Sequence, residues 1–131
     1  MTKKDVMADT SVWIAYFRGK HCPESDHLDS LLQQDRVTLC GVVEMELLRG
    51  VRVAERKRLS DLLAAVRFVE TARADYIAAG EALGRLREEG VTVPATDALI
   101  AAVCRRNGLG LLTLDSHFQY LGGASLAVKD A

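Results

Sequence analysis

The chain has 131 residues, one domain's worth at about 150 residues per domain, and is 49% hydrophobic and 27% charged, which excludes a disordered or collagen-like polymer. Lys and Arg number 17 against 18 Asp and Glu, a formal charge of −1 that argues against gripping nucleic acid by bulk charge. Three cysteines, Cys22, Cys40 and Cys104, neither close a disulfide set nor form a C-x-x-C pair, which points to a reduced, cytoplasmic setting rather than a zinc knuckle.

In chain order, Lys3 and Lys4 are followed by Asp5 and Asp9, which interrupt any apolar region and argue against a signal peptide. Val6-Met7-Ala8 reads as a short buried strand ended by Asp9, and Thr10-Ser11 offers an N-cap for a helix carrying Trp13, Ile14 and Phe17, closed by Gly19. Leu28, Leu31 and Leu32 mark a helix after Pro23, and Val37 to Cys40 is the next strand. A helix through Val43, Leu47 and Leu48 ends at Gly50, and Leu59, Leu62, Leu63 and Val66 outline another before a brief strand at Phe68-Val69. Tyr76, Ile77, Gly80, Leu83 and Leu86 predict a long amphipathic helix ended by Gly90. Thr96 caps a helix carrying Leu99, Ile100, Val103 and Cys104 that stops at Asn107-Gly108. Leu111 to Leu114 is the most strand-like run, followed at once by Asp115, and Ala127-Val128 adds a candidate edge strand. No apolar run approaches the roughly 18 residues of a membrane span. Short apolar strands alternating with amphipathic helices predict an α/β fold around a mainly parallel sheet, in one domain over 1–131.

In such sheets ligands bind beyond the carboxyl ends of the strands, where Asp9 and Asp115 stand. Taken singly, each acid has a local explanation. Asp9 can start a helix, Asp97 suits a first helical turn, Asp115 suits a turn, and Glu46 or Glu44 suits a solvated helix face, Glu46 pairing with Arg49. Together, Asp9, Glu46, Asp97 and Asp115 converge on one rim, where their mutual repulsion calls for a cation. Oxygen donors without a Cys–His set select Mg²⁺ or Mn²⁺ over zinc. An ion so held makes water a usable nucleophile near neutral pH and polarises phosphate, so phosphodiester hydrolysis is the natural chemistry.

Four segments in register, Ala8-Asp9-Thr10-Ser11-Val12-Trp13-Ile14, Glu46-Leu47-Leu48-Arg49-Gly50, Thr96-Asp97-Ala98-Leu99-Ile100-Ala101 and Leu112-Thr113-Leu114-Asp115-Ser116-His117-Phe118, give the chain its resemblance to PIN-domain ribonucleases, specifically the VapC-type toxins. The resemblance implies a three-layer α/β/α sandwich with a central mainly parallel sheet. It also implies a metal-dependent endoribonuclease in which Asp9, Glu46, Asp97 and Asp115 hold Mg²⁺ or Mn²⁺, with Thr10 and Thr113 in support. Its implied partners are RNA, a VapB-type antitoxin and a second copy of the chain, and no membrane. Many relatives carry an acid two residues after the position of Asp115; here that residue is His117, a candidate phosphate contact or a plain loop histidine.

Between Arg49 and Arg67 lie six cations (Arg49, Arg52, Arg56, Lys57, Arg58, Arg67) against Glu55 and Asp61, a candidate RNA track with Arg49 and Arg52 foremost, or a solvated helix face. Arg105-Arg106 offers a second basic pair, for RNA or for the helix dipole. Trp13, Tyr16 and Phe17 are core or contact residues, and by resemblance part of a groove for the antitoxin. Two other readings compete. A phosphotransfer receiver domain needs an acidic pair after the first strand and a Lys after the last, and the chain has neither. An inactive PIN-like interaction module has no reason to keep four repelling acids.

Overall fold

Val6, Met7 and Ala8 are wholly buried, as a central strand covered on both faces must be. In the computed structural model, which describes residues 4–122, they form β1 (Val6–Ala8), and three more strands join it. These are β2 (Val37–Cys40), β3 (Arg67–Val69) and β4 (Gly110–Leu112), in the order β3-β2-β1-β4, every pairing parallel. The expected mainly parallel sheet is thus wholly parallel among the described residues.

The connections are helical: α1 (Thr10–Phe17) and α2 (Pro23–Gln33) between β1 and β2, and α3 (Gly41–Gly50) and α4 (Arg56–Ala64) between β2 and β3. α5 (Arg73–Glu88) and α6 (Ala95–Asn107) lead from β3 back to β4. Right-handed crossovers put the first two connections on one face and the return crossover on the other, which makes three layers. α5 packs along α6 and α1 along α2, while α3 touches both α1 and α6 and so bridges the layers at the rim. The chain progresses from β1 to β3 in one direction and then returns to the other side of β1. The switch point of the sheet therefore lies between β1 and β4, beside Asp9 and Thr113.

Several local details differ from the sequence reading. Asp9, not Thr10-Ser11, caps α1, accepting from the backbone N–H groups of Ser11 and Val12. Pro94, not Thr96, precedes α6, so Thr96 lies inside the first turn. β4 ends at Leu112, because Thr113 and Leu114 turn away to bond across to the β1 end, and Asp115 follows the strand by two intervening residues. On α5 the buried positions are Asp75, Ala79, Ala82 and Leu86, whereas Tyr76 and Ile77 are exposed. The small alanines let α5 approach α6 closely, and the bulkier residues are left outside. Gly108 takes a left-handed φ of 64°, the conformation that ends α6 and is accessible to glycine at little cost. The strand expected at Ala127-Val128 lies outside the described residues.

Trp13 is fully buried and stacks on Phe17, with Tyr16 edge-on to it. Truncating such a residue typically costs about 3–5 kcal/mol, so the α1 aromatic cluster is first a core feature. Cys40 and Cys104 are buried free thiols, as read from their neighbours.

Candidate active site

Asp9 is placed by backbone necessity. β1 must end before the helix begins, and the residue at that junction faces four orphan N–H groups, which a carboxylate satisfies. Its Oδ1 accepts from Ser11 N at 3.1 Å and from Ser11 Oγ at 2.5 Å, while Oδ2 accepts from Thr113 Oγ1 at 2.6 Å. Burial raises its carboxyl above the usual range, against the hydrogen bonds from Ser11, Thr113 and Val12, and the nearby Asp115 raises it further.

Thr113 couples the two strand ends. Its hydroxyl donates to Asp9 and accepts from Asp115 N at 2.8 Å. Ser11 adds a second tie, its Oγ accepting from Leu114 N at 3.1 Å. In the sequence Ser11 reads as a capping residue within the Ala8–Ile14 segment, with no site role of its own. The one signal was a hydroxyl two residues after an acid at a strand end, and that pattern is common in plain caps.

Asp97 lies in the first turn of α6 and is 8% exposed. Burial first, and then the Asp115 and Asp9 carboxylates, push it up to about 7, with His117 opposing. Its Oδ2 is buried without a hydrogen-bond partner. Asp115 caps the short 3-10 turn Ser116–Tyr120, accepting from His117 N at 2.8 Å. His117 Nδ1 lies 2.9 Å from Asp115 Oδ1 and 3.6 Å from Asp97 Oδ2, so this histidine faces the acids rather than standing in a plain loop.

Glu46 arrives from the other side. α3 carries it to the rim, where Thr10 Oγ1 donates to its Oε1 at 2.6 Å. Thr10 follows Asp9 directly, so Glu46 is held one residue from the capping acid. Asp97, Asp115 and His117 form the tight group, each offering a ligand atom within 4.8 Å of the others. Asp9 stands near enough to that group for its charge to act on Asp97, whereas Glu46 is tied to Thr10, and among the described residues no hydrogen bond ties Glu44 to Asp9 or Glu46. Converging carboxylates, an orphaned buried oxygen and an imidazole nitrogen make a donor set that fits a divalent cation.

Arg49 and Arg52 are exposed near the end of α3, as are Arg56, Lys57 and Arg58 on α4, with Lys57 paired to Asp61 at 3.1 Å. Arg67 is instead engaged by Asp5 and Asp35. The Arg105-Arg106 pair is structural: Arg105 bonds the Leu121 carbonyl, and Arg106 binds Asp75 and the Glu70 carbonyl. Two hollows, about 330 Å³ beside Leu83 and Arg87 and about 290 Å³ beside Tyr16 and Leu62, contain none of the acids.

The family model for the PIN domain matches residues 6–124. Ribonuclease VapC10 of Mycobacterium tuberculosis (strain CDC 1551 / Oshkosh) is 31% identical over 110 residues, covering 84% of this chain and 82% of the relative. Among solved structures, VapBC2 from Rickettsia felis, bound to a DNA fragment from its promoter, superposes with a TM-score of 0.74 at 18% identity, over 93% of this chain and 95% of that one. A toxin-antitoxin complex from Klebsiella pneumoniae gives 0.71 at 16% identity, over 95% and 96%.

Proposed function

Because the chain belongs to the PIN-domain family, we propose that it is a metal-dependent endoribonuclease, the toxin of a toxin–antitoxin pair, with Asp9, Glu46, Asp97 and Asp115 as its catalytic, metal-holding carboxylates. The observation that carries this reading is the buried, unpartnered Asp97 Oδ2 turned toward Asp115 and His117 at the switch point of the sheet. A cluster that repels itself and leaves an acceptor unsatisfied is costly to fold, and a divalent cation removes both costs.

When bound, Mg²⁺ or Mn²⁺ supplies a water acidified toward neutrality and positive charge for the phosphate. The chain's own residues do the rest. Ser11 and Thr113 fix the two oxygens of Asp9 in place, and Thr10 fixes Glu46. Asp97 and Asp115 set ligand oxygens within reach of one another, and Arg49 and Arg52 draw the RNA backbone to the rim. The near-neutral total charge then reflects an acidic centre in a mildly basic surface.

The substrate class follows from relatives named ribonucleases, and the VapB-type antitoxin from the toxin–antitoxin complexes that share the fold. Trp13 is buried, so the antitoxin's apolar segment meets Tyr16 and Phe17 at the outer edge of α1. The exposed Tyr76 and Ile77 on α5 suit a homodimer contact. The chain acts as one domain over 1–131 in the cytoplasm; among the described residues no helix is long and apolar enough to cross a membrane.

Purified protein should cut RNA with Mg²⁺ or Mn²⁺, stop when a chelator is added, and lose activity in Asp9→Asn and Asp115→Asn. Variants that cut as well as the wild type, or indifference to the chelator, would exclude the mechanism. Expression should also arrest growth, with relief from a small protein encoded beside it. An inactive PIN-like module would show neither effect.

A further inference from the structure

His117 is the one nitrogen donor that the described residues bring to the acidic group. Its Nδ1 stands 2.9 Å from Asp115 Oδ1, yet the pair is not aligned as a hydrogen bond: Nδ1 is buried with no partner, and so is Asp97 Oδ2. Buried polar atoms left without a partner are costly, and the arrangement is stable when positive charge occupies the point on which these atoms converge.

The spacing has the right size for that. Adjacent ligands of an octahedral ion at about 2.1 Å stand about 3.0 Å apart, close to the separation of Nδ1 and Asp115 Oδ1. The backbone supports the pose, since His117 N donates to Asp115 Oδ1 at 2.8 Å and so fixes the histidine's start point relative to the acid. The side chain itself is 45% exposed, so solvent exchange and ion entry are open.

We propose that His117 donates its Nδ1 to a divalent cation shared with Asp97 and Asp115, giving this site a mixed oxygen and nitrogen donor set that favours Mn²⁺ over Mg²⁺. Imidazole suits first-row transition ions, whereas Mg²⁺ takes oxygen ligands and keeps its waters. The inference rests on the metal-dependent reading above and narrows it, because an all-carboxylate rim would discriminate little between the two ions.

The test is pulsed EPR on the full chain loaded with Mn²⁺, which detects a directly bound ¹⁴N. The wild type should show imidazole nitrogen coupling. His117→Asp, which restores a carboxylate at a partly exposed turn position, should keep Mn²⁺ and lose the coupling. In competition titrations the same variant should lower the Mn²⁺ preference over Mg²⁺ by roughly tenfold, the scale on which single groups at metal sites act. Bound Mn²⁺ without nitrogen coupling in the wild type, or unchanged coupling in His117→Asp, overturns the role of His117 alone. Failure of the wild type to bind Mn²⁺ at all overturns the metal-dependent reading with it.

Discussion

Asp9 and Thr113, 104 positions apart, are joined by a 2.6 Å hydrogen bond across the ends of the neighbouring strands β1 and β4. The same hydroxyl accepts from Asp115 N at 2.8 Å, so one side chain aligns two of the acids. Thr113→Val keeps the shape and removes the hydroxyl. Cleavage should fall between roughly tenfold and a hundredfold, the cost of a modest misplacement of reacting groups. Thr113→Ser should recover most of that loss. Full activity in the valine variant would remove Thr113 from the site.

Thr10 and Glu46 make a second pair that acts as a unit. Thr10→Val and Glu46→Gln should each weaken cleavage, and the double variant should be little worse than Glu46→Gln alone, because the threonine acts through the glutamate. Steady-state rates over the four-member cycle decide it. Strict additivity would mean that the 2.6 Å hydrogen bond does not position the acid.

Asp97 should carry a cost to stability that metal relieves. At pH 8, above the value of about 7 to which burial and its neighbours push it, its charge faces Asp115 and Asp9. Asp97→Asn removes that charge, so the metal-free variant should melt above the metal-free wild type by about 3 °C or more. Saturating Mn²⁺ should raise the wild type and leave the variant nearly unmoved. Calorimetry with and without chelator reads both effects; a variant less stable than the wild type in chelator would refute the repulsion argument.

Asp75 behaves in the opposite sense. It is 2% exposed, accepts from Arg106 Nε at 2.8 Å and from Ala72 N at 2.8 Å, and the Arg106 hydrogen bond foremost holds its carboxyl below the usual range. A lowered folded value means that the stabilisation is present above the unfolded value near 3.8 and is lost as pH falls through the folded one. Asp75→Asn should therefore cost about 2–4 kcal/mol at pH 7. The gap to the wild type should narrow steadily below about pH 3.8. Urea titrations at pH 7 and pH 3 test the sign, and a gap that widens in acid would contradict it.

Arg49 and Arg52 are exposed and follow Glu46 closely in the chain, so they should act on binding rather than on chemistry. Arg49→Ala and Arg52→Ala should each raise KM several-fold with little change in kcat. Each should also flatten the salt dependence of RNA binding, by a slope of about 0.7 for every phosphate left without its arginine. A drop in kcat with unchanged KM would place the arginine in the chemistry instead.

Much of the fold is legible in the sequence because its signals are local. Val37 to Cys40 reads as a strand from three apolar residues and a β-branched threonine in succession, and Gly108 ends α6 because its left-handed φ excludes most other residues. The face of α5 departs from its apolar pattern for a physical reason. Tyr76 and Ile77 are the stronger apolar residues, but close packing on α6 selects small side chains, so Ala79 and Ala82 take the inside. β4 is shorter than its residues suggest because Thr113 and Leu114 carry strand-like side chains, while their bonds go to Asp9 and Ser11.

By itself the sequence determined the alternation of strands and helices and the positions of Asp9, Asp97 and Asp115 at element ends, with Glu46 on a helix. Each of those depends on neighbours within a few residues, through periodicity, capping and turn chemistry. Only the tertiary structure decided which groups meet. The parallel order β3-β2-β1-β4 sets β4 beside β1, so Thr113 and Asp115 reach Asp9 across 104 positions or more. It also brings Asp97 down from α6 onto Asp115, ties Glu46 to Thr10 rather than to the tight group, and turns His117 inward. No local pattern encodes these meetings, because they follow from the switch in strand order, which only the packed sheet and its crossovers establish.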